Sequence, residues 1–125
     1  MTTQRVLSGP GNLLDEVGNL SQAGWATNQV LDCNLENANF YKLKAFQGLR
    51  VKVWDYYAVT TPTHFFSFTL SDIGYLGMVF AYVIDFQTGE YKEETIAVPF
   101  ASGVKLPRNS TQGISEYKKG GISLQ

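Results

Sequence analysis

One cysteine and one histidine are all that the 125 residues offer of the two most versatile catalytic side chains. Cys33 alone cannot close an internal disulfide. His64 alone cannot build a multi-histidine metal site, and any Ser-His-Asp arrangement would have to use it. No metal site and no cofactor are expected. A dominant charge is missing too. Ten Lys+Arg stand against eleven Asp+Glu, so no general basic field draws nucleic acid or an anionic membrane surface. The chain also lacks a run of ~18 apolar residues. Even Gly77–Ile84 is ended by Asp85, and no membrane span is expected. Without a basic and apolar leader at the start, the default setting is reducing and cytoplasmic. Heptad seams, repeats and low-complexity linkers are absent, which predicts one β domain over residues 1–125. A chain of this length can bury roughly two thirds of its unfolded surface without staples.

Aromatic residues are abundant. Between Trp54 and Phe86, ten of 33 positions are Phe, Tyr or Trp, in strand-like runs broken at Thr61-Pro62-Thr63 and Asp85-Phe86-Gln87-Thr88-Gly89-Glu90. Each such ring buries on the order of 150–250 Å², so this segment either packs a tight interior or lines an apolar pocket. The first third is different. Ser8-Gly9-Pro10-Gly11-Asn12, Gly18-Asn19-Leu20-Ser21 and the asparagines of Asn34–Asn39 favour turns and caps, so no long helix is expected there.

From Leu49 the hydrophobic period becomes two. Leu49, Val51 and Val53 alternate with Arg50 and Lys52, which predicts a strand whose continued phase turns Asp55, Tyr57 and Val59 inward. Trp54 and Tyr56 then point outward unless a bulge shifts the phase. His64, Phe66, Phe68 and Leu70 share the face expected to be interior, and Phe65, Ser67 and Thr69 share the opposite one. Gly77–Phe86 is apolar on both sides, with Met78, Phe80, Tyr82 and Ile84 bulky and Val79, Ala81 and Val83 small, as in a central strand. Gln87-Thr88-Gly89 then predicts a hairpin into Tyr91–Val98. The fold class is therefore all-β, an antiparallel meander of four consecutive strands between Leu49 and Val98, with an irregular amino-terminal segment.

Among chemically capable residues, Asp55 is the best candidate acid. A carboxyl turned toward an aromatic interior can be kept protonated and donate a proton to an alkene or carbonyl. The competing role is structural: it fixes the strand by hydrogen bonding to backbone or to a tyrosine hydroxyl. His64 reads as a strand-end residue, and Cys33 as a small buried hydrophobe because its one possible base is His64. Asp32, Asn34, Glu36 and Asn37 lack the spacing of a calcium loop and read as a network pinning an irregular segment. Lys42, Lys44, Arg50 and Lys52 read as a solvated strand face.

Several motifs in order carry a family resemblance. Asp32-Cys33-Asn34-Leu35-Glu36-Asn37, then Trp54-Asp55-Tyr56-Tyr57-Ala58-Val59-Thr60-Thr61-Pro62, Asp72-Ile73-Gly74-Tyr75-Leu76-Gly77, Asp85-Phe86-Gln87-Thr88-Gly89 and Leu106-Pro107 closely resemble the family called domain of unknown function 2804. The resemblance extends over roughly Gly24 to Gly113. It implies that the chain is the amino-terminal portion of a longer protein, and a place in the lipocalin-like, or calycin, group, with a partial or distorted barrel. Carotenoid hydratase-like and tocopherol cyclase-like proteins belong to that group. An open sheet edge would then favour a homodimer or other association.

Three functions follow as expectations. The first is a binding module that holds an apolar lipid or terpenoid among Trp54, Tyr57, Phe66, Phe68, Phe80 and Tyr82. The second is an acid-catalysed hydratase, cyclase or isomerase with Asp55 as proton donor. The third is a structural or interaction domain whose aromatics are all core.

Overall fold

A computed structural model describes residues 4–7, 9–29, 31–39, 42–109 and 111–125. Its strands are β1 (Gly11–Asn12), β2 (Leu31–Asp32), β3 (Val53–Thr60), β4 (His64–Asp72), β5 (Leu76–Asp85), β6 (Tyr91–Pro99), β7 (Val104–Lys105), β8 (Glu116–Lys119) and β9 (Ile122–Leu124). Two 3-10 segments, Leu35–Asn37 and Lys44–Leu49, are the helical elements among the described residues. The chain divides into two compact units, one of residues 1–47 with 107–113, the other of 48–106 with 114–125.

In the first unit, irregular chain is held by side chains rather than by ladders. β1 and β2 form a short parallel pair. Asn34 is buried and replaces a missing ladder: its Oδ1 accepts from Leu14 N at 2.9 Å and its Nδ2 donates to Leu14 O at 2.9 Å. Arg108 Nη2 donates to Asp32 Oδ1 at 2.9 Å and to Glu36 Oε1 at 3.0 Å. The asparagine-rich segment is thus pinned by a network, as its composition suggests.

The second unit contains the meander. β3, β4, β5 and β6 pair antiparallel in sequence order. The breaks fall where turn chemistry places them. In the β5–β6 hairpin, Asp85 Oδ1 accepts from Gln87 N at 2.7 Å, and Gly89 takes φ +72°, a conformation that side-chain-bearing residues rarely adopt. The start of β3 differs from expectation. Leu49 closes a 3-10 segment and the strand begins at Val53, so the alternation over Leu49–Lys52 is not a ladder. Lys44 likewise lies in that 3-10 segment, so the basic residues are exposed but do not form one strand face.

Register assigns the faces. One face carries Asp55, Tyr57 and Val59 of β3, Phe66, Phe68 and Leu70 of β4, Val79, Ala81 and Val83 of β5, and Ile96 and Val98 of β6. The three-stranded sheet β7–β8–β9 packs on it. Leu70, Val79, Val98 and Tyr117 form the buried centre, and Phe68, Ile96, Val104, Leu106 and Leu124 pack around it. Gly77 is required here: a Cβ would come within 2.6 Å of the Ala101 backbone. The structure is mostly β, with antiparallel sheets, and among the described residues no sheet closes into a barrel. Phe66, expected inside, stays 45% exposed because the covering sheet reaches only the Leu70 end.

Candidate functional site

The other face of the meander is built around β4. Trp54, Tyr56 and Ala58 of β3 form one column, Ser67, Thr69 and Ser71 of β4 the next, and Met78, Phe80 and Tyr82 of β5 the third. Across the strands the rows are Trp54–Ser71–Met78, Tyr56–Thr69–Phe80 and Ala58–Ser67–Tyr82. Three small hydroxylic residues therefore floor a trough between taller walls. β-branched and aromatic residues keep the strands extended, and the absence of bulk at Ser67, Thr69 and Ser71 hollows the centre.

The floor is buried although the walls are open. Ser67 and Thr69 are 5% and 4% exposed, whereas Trp54 and Tyr56 are 61% and 51% exposed. Two tyrosines account for this. The Tyr56 and Tyr82 hydroxyls meet at 3.4 Å across the trough, from adjacent rows, and bridge it above the floor. Tyr82 is oriented by its neighbours: its ring centroid lies 5.8 Å from that of Phe65 and 5.7 Å from that of Tyr91. Ala58 opposite leaves room for the reach.

Hydrogen bonding on the floor is incomplete. Ser71 Oγ donates to Met78 O at 3.1 Å. Thr69 Oγ1 is buried with no partner among the described residues. Ser67 Oγ is close enough to both tyrosine oxygens to act on their protonation, but makes no hydrogen bond of normal geometry. The Ser67 hydroxyl first, and Tyr56 second, hold the Tyr82 hydroxyl below the ordinary tyrosine range. The bond to Tyr82, above all, raises Tyr56 in turn.

Asp55 lies on the covered face, away from this trough. Ser115, itself buried, donates its hydroxyl proton to Asp55 Oδ2. The Tyr57 hydroxyl lies 3.0 Å from Ser115 Oγ, and because that serine's proton is committed to the carboxylate, Tyr57 donates. The chain Tyr57–Ser115–Asp55 ties edge strand β3 to the segment ahead of β8.

The six aromatics expected to line one pocket are thus divided. Trp54, Phe80 and Tyr82 stand on the trough face, and Tyr57, Phe66 and Phe68 on the covered face with Asp55. Phe65, expected opposite Tyr82, shares its face and touches its ring. His64 opens β4, stacks on Phe66 at 5.7 Å and places Nε2 3.9 Å from Asp85 Oδ2. Cys33 is exposed rather than buried, because the short segment between β2 and the first 3-10 turn lies at the surface of its unit. Sequence reasoning passed over Ser67, Thr69 and Ser115. For Ser67 and Thr69 the signal was their alternation with Phe66, Phe68 and Leu70; Ser115 gave none.

The family model described as domain of unknown function (DUF2804) matches residues 4–125. The chain belongs to this family. No curated protein and no solved structure matches it. Within the DUF2804 domain, the trough is the one place where a buried, unpartnered hydroxyl and a set of exposed rings lie together on one sheet face among the described residues.

Proposed function

We propose that this DUF2804 domain binds an apolar small molecule of the lipid or terpenoid class along the β4 trough, between Trp54 and Tyr56 on one side and Phe80 and Tyr82 on the other. The observation that carries this reading is Thr69. A hydroxyl buried without a partner costs about 1–3 kcal/mol, and such groups are few in natural structures, where most buried polar atoms have a partner. The Tyr56–Tyr82 contact spans the width between β3 and β5, so a ligand enters by parting those two rings and stacks between walls whose strands lie roughly 9–10 Å apart. Asp55 is assigned a positional role, since its acceptor is committed to Ser115 on the opposite face.

The test compares the faces using a neutral naphthyl ketone that fluoresces in apolar surroundings. Phe80→Ala should weaken binding several-fold by removing an inward ring, and Phe66→Ala should leave it unchanged. Equal loss from both, or no binding at micromolar probe, overturns the reading.

A further inference from the structure

We infer that the molecule held in the trough is electrically neutral, an alcohol, ketone or ester rather than a carboxylate, with its oxygen at Thr69. This rests on the binding reading above and adds its chemical class. The argument is one of charge. Along the trough face the residues of β3 are Trp54, Tyr56, Ala58 and Thr60, those of β4 Phe65, Ser67, Thr69 and Ser71, and those of β5 Met78, Phe80, Tyr82 and Ile84. None is ionised at neutral pH. The face's charged residue comes from β6: Glu93, which accepts from Tyr91 and from Thr95 Oγ1 at 3.0 Å, and whose negative charge opposes ionisation of Tyr82. No lysine or arginine of the four strands projects on this side, since Lys92 alternates onto the other. A carboxylate lowered onto this floor would lose its hydration, meet no cation and face Glu93.

A neutral oxygen meets none of these costs. Thr69 Oγ1 can donate to it or accept from it, and the Tyr56–Tyr82 bridge stands over the same spot as a second source of hydrogen bonds. The hydroxyl floor thus selects an oxygen function without selecting a charge.

The deciding experiment titrates the intact chain at neutral pH with dansylaminoundecanoic acid and with its methyl ester, which differ only in the charge of one end. The ester should bind about tenfold tighter or better. Thr69→Val should weaken the ester several-fold and Thr69→Ser should restore it, with circular dichroism confirming that each variant is folded. An acid that binds as tightly as its ester overturns the inference while leaving the trough as a binding site. Tight ester binding that Thr69→Val leaves unchanged overturns the placing of the oxygen. Binding of neither compound overturns the binding reading itself.

Discussion

The hydroxyl oxygens of Tyr56 and Tyr82 meet 3.4 Å apart above β4, although the two residues belong to strands that do not touch each other. The nearby Ser67 hydroxyl first, and Tyr56 second, favour ionisation of Tyr82. In an alkaline spectrophotometric titration Tyr82 should ionise before Tyr56 and Tyr91. Ser67→Ala should move that step to higher pH, and Tyr56→Phe should move it less. A Tyr82 step left unmoved by Tyr56→Phe would refute the bridge.

The Tyr57–Ser115–Asp55 chain links β3 to the segment ahead of β8, and its strongest part is the bond to a carboxylate. Hydrogen bonds to charged groups contribute about 1.5–3 kcal/mol. Ser115→Ala should lower the unfolding free energy in urea by about 1–2 kcal/mol with an unchanged slope, given that water can partly replace the lost donor. An effect below about 0.3 kcal/mol would mean the contact contributes nothing to folding.

Leu70 is 1% exposed at the centre of the buried cluster, and Phe66, four residues earlier on the same face, is 45% exposed. Leu70→Ala should cost about 2–5 kcal/mol through lost transfer energy and a cavity. Phe66→Ala should cost under about 1 kcal/mol despite removing the larger group. Reversed values in a denaturant series would show that the covering sheet sits elsewhere.

Acid stability should depend on Asp85. The Gln87 N–H, above all, holds this carboxyl below the usual carboxylate range, helped by Thr88 and then by His64. A depressed folded pKa contributes stability that is present above the unfolded value, about 3.9, and is lost as pH falls through the folded one. Asp85→Asn keeps the turn's acceptor and removes the charge. The gap between wild type and variant should therefore be present near neutrality and close in strong acid. A gap of constant size down to about pH 2 would rule out this linkage.

Much of the meander is legible because each strand declares its own period. The hairpin chemistry of Asp85 to Gly89 and the break at Pro62 mark the ends of four strands to within a residue or two. What period alone cannot supply is the phase between neighbours. The alternation in β4 and that in β5 are each clear, yet only the pairing Ser67↔Tyr82 shows that the hydroxyl side of one joins the bulky side of the other. For this reason period alone groups Phe66 and Phe68 with Phe80 and Tyr82, whereas the sheet separates them. The link from Asp55 to Ser115 is out of reach for a related reason: they stand 60 positions apart and nothing local to either announces the other. In the irregular first third, composition predicted side-chain pinning, and Asn34 and Arg108 show how it is done.

β4 serves two purposes at once, with Phe68 and Leu70 turned to the packed interior and Ser67, Thr69 and Ser71 turned to the trough. Its two sides are locked to each other by the two-residue repeat of an extended chain. Deleting a single residue within it would trade the sides of every residue on one flank of the deletion, turning hydroxyls of that flank to the interior and its apolar groups to the trough. The packed interior and the hydroxyl floor along this strand are inherited together, so length changes should be confined to the loops, and diversity within β4 should take the form of exchanges that preserve parity.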